Sequence, residues 1–148
     1  MKLLSSSQKK KITKQLNLQF GITNIPYLMI KFGKERLRLY SGNLSKEELL
    51  KLDKNLRIET AGLYFAKQVN DGIRLTIDGL HILQSQITKN ILILTKEQSD
   101  NWFLGDDLQI KLDKNFKILK YDKDFLGSGK STGEKITNTV PKERRVKG

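Results

Sequence analysis

From about residue 68 onward, clusters of turn-forming residues recur every 8–12 residues or so, with short runs of alternating or continuous apolar character between them. Asn70-Asp71-Gly72 separates "LYFAKQV" from "IRLTI", a strong hairpin signal. A short helical turn is predicted at Asp78 to Leu83, and "NILILT" reads as a continuous apolar strand. Thr95 with Gln98 has the spacing to cap a short helix. "GDDLQIKLDKNFKILKYDKDFLGSGK" predicts two more strands joined by Asp113-Lys114-Asn115, and "KITNTVPKERRVKG" one last strand with a basic tail. So many short strands with regular turns predict a small barrel or sandwich.

The first half is patterned differently. Ser5 to Phe20 predicts a basic helix: Ile12, Leu16 and Phe20 recur at i+4, serines stand ready to cap it, and Gly21 is placed to end it. "IPYLMIKFGKERLRLYSG" alternates as a hairpin with Gly33-Lys34 at its turn. "LSKEELLKLDKN" predicts a second helix with Ser45 and Glu48 in capping-box spacing, and a strand is predicted from Ile58 to Lys67. The fold class expected is α+β: a small N-terminal α/β domain over residues 1–69, then a β-rich domain over 70–148. Asn70-Asp71-Gly72 marks the boundary, and no internal repeat or low-complexity linker is found.

Bulk properties narrow the function. The 148 residues are 37% apolar and 30% charged, polar but still globular. No window approaches the 18 or so uninterrupted apolar residues of a membrane span. The start, "MKLLSSSQKKKITKQ", lacks an apolar secretory core, so no signal peptide and a cytoplasmic location are expected. There is no cysteine, which excludes disulfides, thiolate metal sites and thiol nucleophiles. Lys and Arg number 28 against 16 Asp and Glu, a net charge of +12. Residues 1–66 carry +8, and the last twenty residues carry +4. Glu does not keep pace with Lys, so this is not simple ion-pair decoration. Nucleic acid is the favoured partner, ahead of a merely solvated lysine surface or an anionic membrane.

"DFLGSGKSTGEK" invites comparison with a nucleotide-binding loop. Such a loop needs Gly-x-x-x-x-Gly-Lys-[Ser/Thr], so a glycine should stand at position 124, where the chain has Asp124. It must also lead into a long helix, but the 17 residues after Ser131 read as extended chain. The stretch is therefore predicted to be a glycine-rich turn between two short strands. Catalysis has little to stand on. One histidine and no cysteine leave no nucleophilic triad or metal site. Asp106 and Asp107 are adjacent and point to opposite faces of a strand. Asp122 and Asp124 share a face, but Lys120 and Lys123 beside them suit solvent ion pairs. No enzymatic activity, cofactor or metal is expected.

"DGIRLTIDGLHIL", "NWFLGDDLQI" and "FLGSGK" together resemble a PUA domain, the RNA-binding pseudobarrel attached to many RNA-modifying enzymes. The correspondence rests on Gly79 in the short helix, Gly105-Asp106 entering a strand, and Gly127-Ser128-Gly129 as the late turn. "ITNTVPKERRVK" is similar to the closing segment of a PUA-like family associated with the Sun-type RNA cytosine-5 methyltransferases. Stand-alone archaeal ribosome-biogenesis proteins of about this length are similar too. The resemblance covers roughly residues 60–148, with a looser match of the first half to the domain that precedes some PUA domains. It implies a PUA-like mixed β pseudobarrel behind the α/β domain. It further implies RNA binding to structured rRNA or tRNA, in ribosome biogenesis or RNA modification. The methyltransferases' S-adenosylmethionine domain and catalytic cysteine have no counterpart here, so only the binding module carries over.

The RNA-binding candidates are Arg74, Gly79, Lys89, Gly127, Gly129, Lys130, Lys142, Arg144 and Arg145. Glycines let a backbone approach a ribose-phosphate chain, Lys supplies a point charge, and Arg a planar fork. The alternative for Arg144-Arg145 is a frayed basic tail. Trp102 reads as a core anchor and His81 as structural. The alternative function is a protein–protein adaptor that recruits an RNA methyltransferase or a ribosomal protein.

Overall fold

The computed structural model describes residues 2–41, 45, 47–51 and 62–147. Helix α1 (Ser6–Phe20) is opened by a capping box. The Ser5 hydroxyl accepts from the Gln8 N–H at 3.2 Å, and the Gln8 side chain accepts from the Ser5 N–H at 2.9 Å. Gly21 ends it in the left-handed conformation (φ 85°), which glycine adopts without a Cβ clash, and donates its N–H to Asn17. Ile12, Leu16 and Phe20 are buried, as their spacing requires. The Ser45–Glu48 box also forms, ahead of a helical turn over residues 47–51. The rest of that expected helix, and the strand expected over residues 58–61, lie outside the described residues.

Five strands form an antiparallel sheet in chain order: β1 (Lys2–Leu3), β2 (Leu28–Phe32), β3 (Arg36–Tyr40), β4 (Leu63–Val69) and β5 (Gly72–Leu75). The Asn70-Asp71 turn closes the β4–β5 hairpin, with Val69 opposite Gly72, so it lies inside this first sheet. Strand alternation sends Met29, Leu37, Leu39, Ala66 and Leu75 into one core with the apolar stripe of α1.

Helix α2 (Ile77–Leu83), capped by Thr76, leads through a 3-10 turn at Gln84–Gln86 to the second sheet. There β6 (Ile91–Ile93) runs parallel to β7 (Phe116–Tyr121), with α3 (Lys96–Leu104) in the crossover. Strands β8 (Asp124–Ser131) and β9 (Ile136–Thr137) complete the sheet antiparallel. The Thr95–Gln98 capping box forms as read, at 2.9 and 3.2 Å. A register shift between Leu119 and Lys120 kinks β7 against β8. β7 divides two cores: Phe116 and Ile118 join the core under α1, while Leu119 joins Trp102, Leu108, Leu126 and Ile136 on the other side. The architecture is α+β, as expected.

Two expectations need correcting. Residues 106–115 do not form a strand; Leu108 makes a single bridge to Ile136, and the hairpin turn falls at Asp122-Lys123 instead. Asp107 is engaged elsewhere, and Ile110 and Leu112 pack on the second core as the chain crosses to β7. The second correction concerns Gly127-Ser128-Gly129-Lys130. These residues are not a turn but the interior of β8, and the turn comes later, where Thr132 closes on Lys135. A glycine within a strand marks a close approach from above. Here the indole of Trp102 lies over the two glycines: a Cβ on Gly129 would stand 2.6 Å from Ile136 Cγ2 and 3.1 Å from Trp102 Cη2. Among the described residues, no helix is long and apolar enough to cross a membrane.

Candidate nucleic-acid interface

The face of the first sheet turned away from α1 carries cations in register. Arg36 of β3 stands opposite Lys67 of β4, and Lys67 opposite Arg74 of β5, so three cations cross three strands in one row. Directly opposed residues share a face, and their side chains are near neighbours. Beside the row, Arg38 faces Tyr64. The Arg36 guanidinium lies 5.6 Å from the Tyr64 ring centroid, and that of Arg38 lies 5.5 Å from Phe32 and 5.9 Å from Tyr64. These contacts keep both guanidinium groups beside the rings, and Arg38 is further fixed by a 3.0 Å bond to the Gly62 carbonyl. Lys67 pairs with Glu35 at 3.3 Å. Among the described residues, Arg36 and Arg74 have no ion pair.

Tyr64 and Arg74 are also walls of a cleft of about 250 Å³, closed on its far side by Ser128, Thr139, Pro141 and Arg144. Its walls are tied together. Thr76 Oγ1 donates to the Tyr64 carbonyl at 2.8 Å and accepts from the Gly79 N–H at 3.0 Å. Ser128 Oγ donates to the Leu75 carbonyl at 2.6 Å, linking the two sheets, and Thr139 Oγ1 donates to the Ser128 carbonyl. Arg144 pairs with Asp78 at 3.3 Å, both side chains about half exposed. Such a pair contributes little and exchanges readily for another anion.

Of the sequence candidates, Arg74 and Arg144 meet at this cleft. Gly79 is buried beneath it: a Cβ there would lie 2.8 Å from the Phe65 carbonyl carbon, so it serves the packing of α2 on β4. Gly127 and Gly129 are buried under Trp102. Lys130 is elsewhere, paired with Asp71 and 5.7 Å from the Phe116 ring, in a separate cleft. Lys130 and Arg144 therefore line different clefts. Lys89 is exposed before β6, and Lys142 is exposed on the 3-10 turn (Lys142–Arg144). Trp102 is wholly buried, as read. His81 is exposed on α2, its Nε2 3.2 Å from the Phe125 carbonyl. Sequence alone does not single out Arg36, Arg38, Tyr64 or Lys67; the alternation "RLRLY", which places both arginines on one face, is the one local signal for the arginines.

The tail is docked, not frayed. Arg145 Nε donates to the Val140 carbonyl at 3.1 Å, and the Val146 N–H donates to the Phe103 carbonyl at 2.8 Å. The Arg145 side chain lies over Gly105, whose absent Cβ would stand 2.8 Å from Arg145 Cδ. Asn138 binds the same junction, donating to the Trp102 and Asp106 carbonyls, both at 2.8 Å. Asp107 accepts from the Asn138 N–H at 2.7 Å and from Lys135 Nζ at 2.8 Å. The Lys135 hydrogen bond chiefly, then the Asn138 amide, hold the Asp107 carboxyl below its usual range. A lowered carboxyl stabilises the fold fully above its ordinary value of 3.8 and loses that contribution as pH falls through the lower folded value. Asp107→Asn is therefore expected to cost about 1 kcal/mol at neutral pH. In urea unfolding series, the gap to the parent should close below pH 3.8; a gap independent of pH contradicts the charge assignment.

Residues 89–146 match the family described as the methyltransferase RsmF PUA domain. A relative is the ribosomal RNA small subunit methyltransferase F of Psychromonas ingrahamii, 27% identical over 132 residues. That span is 84% of this chain and 26% of the relative, so the chain covers about a quarter of the relative's length. The second sheet with α3 is thus the PUA fold that the sequence resemblance implied, and the similarity to RsmF is distant.

Proposed function

We propose that this PUA-bearing chain binds structured RNA through the Arg36–Lys67–Arg74 row and the cleft beside it, and contributes binding and not chemistry. The single observation that carries the reading is that row: three cations in register, Arg36 beside the Tyr64 ring, ending at a cleft with a further arginine on its rim. PUA domains as a class bind RNA, which favours RNA over other polyanions. Unpaired Arg36 and Arg74 suit phosphates, and Tyr64 offers a ring on which an unstacked base can rest. The relative's name favours small-subunit ribosomal RNA ahead of tRNA. With no cysteine in the sequence, the chain has no thiol nucleophile of its own.

Recovery from cell extract, with and without ribonuclease, tests this reading. Ribosomal RNA should be enriched with the chain, and its protein partners should be lost on complete RNA digestion. Partners that survive digestion, with no RNA enriched, overturn the reading in favour of an adaptor that recruits a methyltransferase or ribosomal protein.

A further inference from the structure

Helix α1 carries a charge pattern that its own stability does not call for. Residues 1–34 contain seven lysines and no acid, and four of those lysines lie in the first nine residues of α1. Cations near a helix N-terminus oppose the macrodipole, and Lys10 and Lys14 repel each other at i,i+4. No acidic residue stands in the first turn to offset this. Among the described residues, Lys10 and Lys14 make no ion pair, and both are exposed. Lys9 is held in place, its Nζ donating to the Tyr27 carbonyl at 2.7 Å.

These three lysines line an open groove of about 490 Å³ between α1 and the chain at Thr23 to Ile25, floored by Thr13 and Asn17. Ile12, Leu16 and Phe20 pack on the sheet, and the groove runs along the flank of α1, with Lys10 and Lys14 on its outward side. The arginine row occupies the other face of that sheet. The two basic surfaces are therefore on opposite sides of the sheet.

We infer that the lysine groove of α1 is a second contact for RNA, one that takes the phosphate backbone of a duplex without reading its sequence. This rests on the reading of the chain as an RNA binder. Point charges with amide and hydroxyl neighbours track a backbone, and unlike the arginine face the groove offers no aromatic ring to an unstacked base. A membrane surface fits less well, because the apolar stripe of α1 is spent on the core and cannot enter a bilayer. Contact on both sides of the sheet requires a long or bent RNA; a short oligonucleotide reaches one side only.

The test is Lys10→Gln with Lys14→Gln, which keeps polarity and helix propensity while removing the charge. Affinity would be followed by fluorescence anisotropy across a salt series, for a hairpin RNA of about 20 base pairs and for a single-stranded hexanucleotide. The variant should bind the hairpin about tenfold more weakly at 0.1 M salt or so, with a salt slope smaller by about two. Its affinity for the hexanucleotide should stay within about twofold of the parent's. An unchanged hairpin slope overturns the inference, as does an equal loss for both RNAs. So does an unchanged slope with loss of binding to phosphatidylserine vesicles, which assigns the groove to a membrane. A parent that binds neither RNA instead defeats the reading on which the inference rests.

Discussion

Gly129→Val is expected to destabilise the protein by about 3 kcal/mol or more, because β8 has no room for a side chain at that point. The nearest obstacle is Ile136 Cγ2, 2.6 Å from where the Cβ would stand, followed by Trp102 Cη2 at 3.1 Å and the Thr137 carbonyl oxygen at 3.2 Å. Neither side chain can withdraw: Trp102 and Ile136 are both fully buried. Ile136 is also held by reciprocal backbone bonds with Leu108, at 2.8 and 3.0 Å. Valine must expel the indole or part β9 from β8, and either opens the second core. For a chain of this length the melting temperature should fall by roughly 10 °C. A solvent-facing turn glycine would accept the change for about 1 kcal/mol or less. Thermal unfolding separates the two cases, and an unchanged midpoint would return this stretch to a turn.

That stretch also marks where the sequence stops being legible. A glycine in a turn and a glycine beneath a tryptophan look the same in one dimension, and the partner that decides between them, Trp102, is on another element. The local signals were reliable. Ser5 with Gln8 and Gly21, Ser45 with Glu48, and Thr95 with Gln98 are short-range chemistry that a chain carries wherever it folds. The hairpin at Asn70-Asp71 is of the same kind.

Lateral relations were not readable in this way. That Arg36 lies beside Lys67, and Lys67 beside Arg74, depends on the register of three strands, including the shift between Leu37 and Arg38. Without register, Arg74 reads as a lone cation, and Arg36, Arg38 and Tyr64 only as strand residues. The seat of Arg145 is hidden for the same reason: it is the bare backbone of Gly105, far along the chain. The net charge pointed to a polyanion but not to where the charge would gather. Among the described residues, basic side chains stand on both sides of the first sheet.

Arg36→Gln, Arg74→Gln and Arg144→Gln combined should abolish most binding to structured RNA while leaving the fold intact. Arg36 and Arg74 have no ion pair among the described residues, and Arg144 has only the half-exposed pair with Asp78. Their loss should therefore shift stability by less than about 1 kcal/mol. Under the proposed function each takes a phosphate or base edge, and charge-assisted bonds of that kind contribute about 1.5–3 kcal/mol apiece, not all of it additive. The measurement is the affinity of parent and triple variant for a small-subunit ribosomal RNA fragment, across salt concentrations, with circular dichroism to establish folding. A drop on the order of 100-fold at moderate salt, with a slope smaller by about two to three, is what an RNA-binding arginine row requires. A folded triple variant that binds as tightly as the parent, with the same slope, contradicts it.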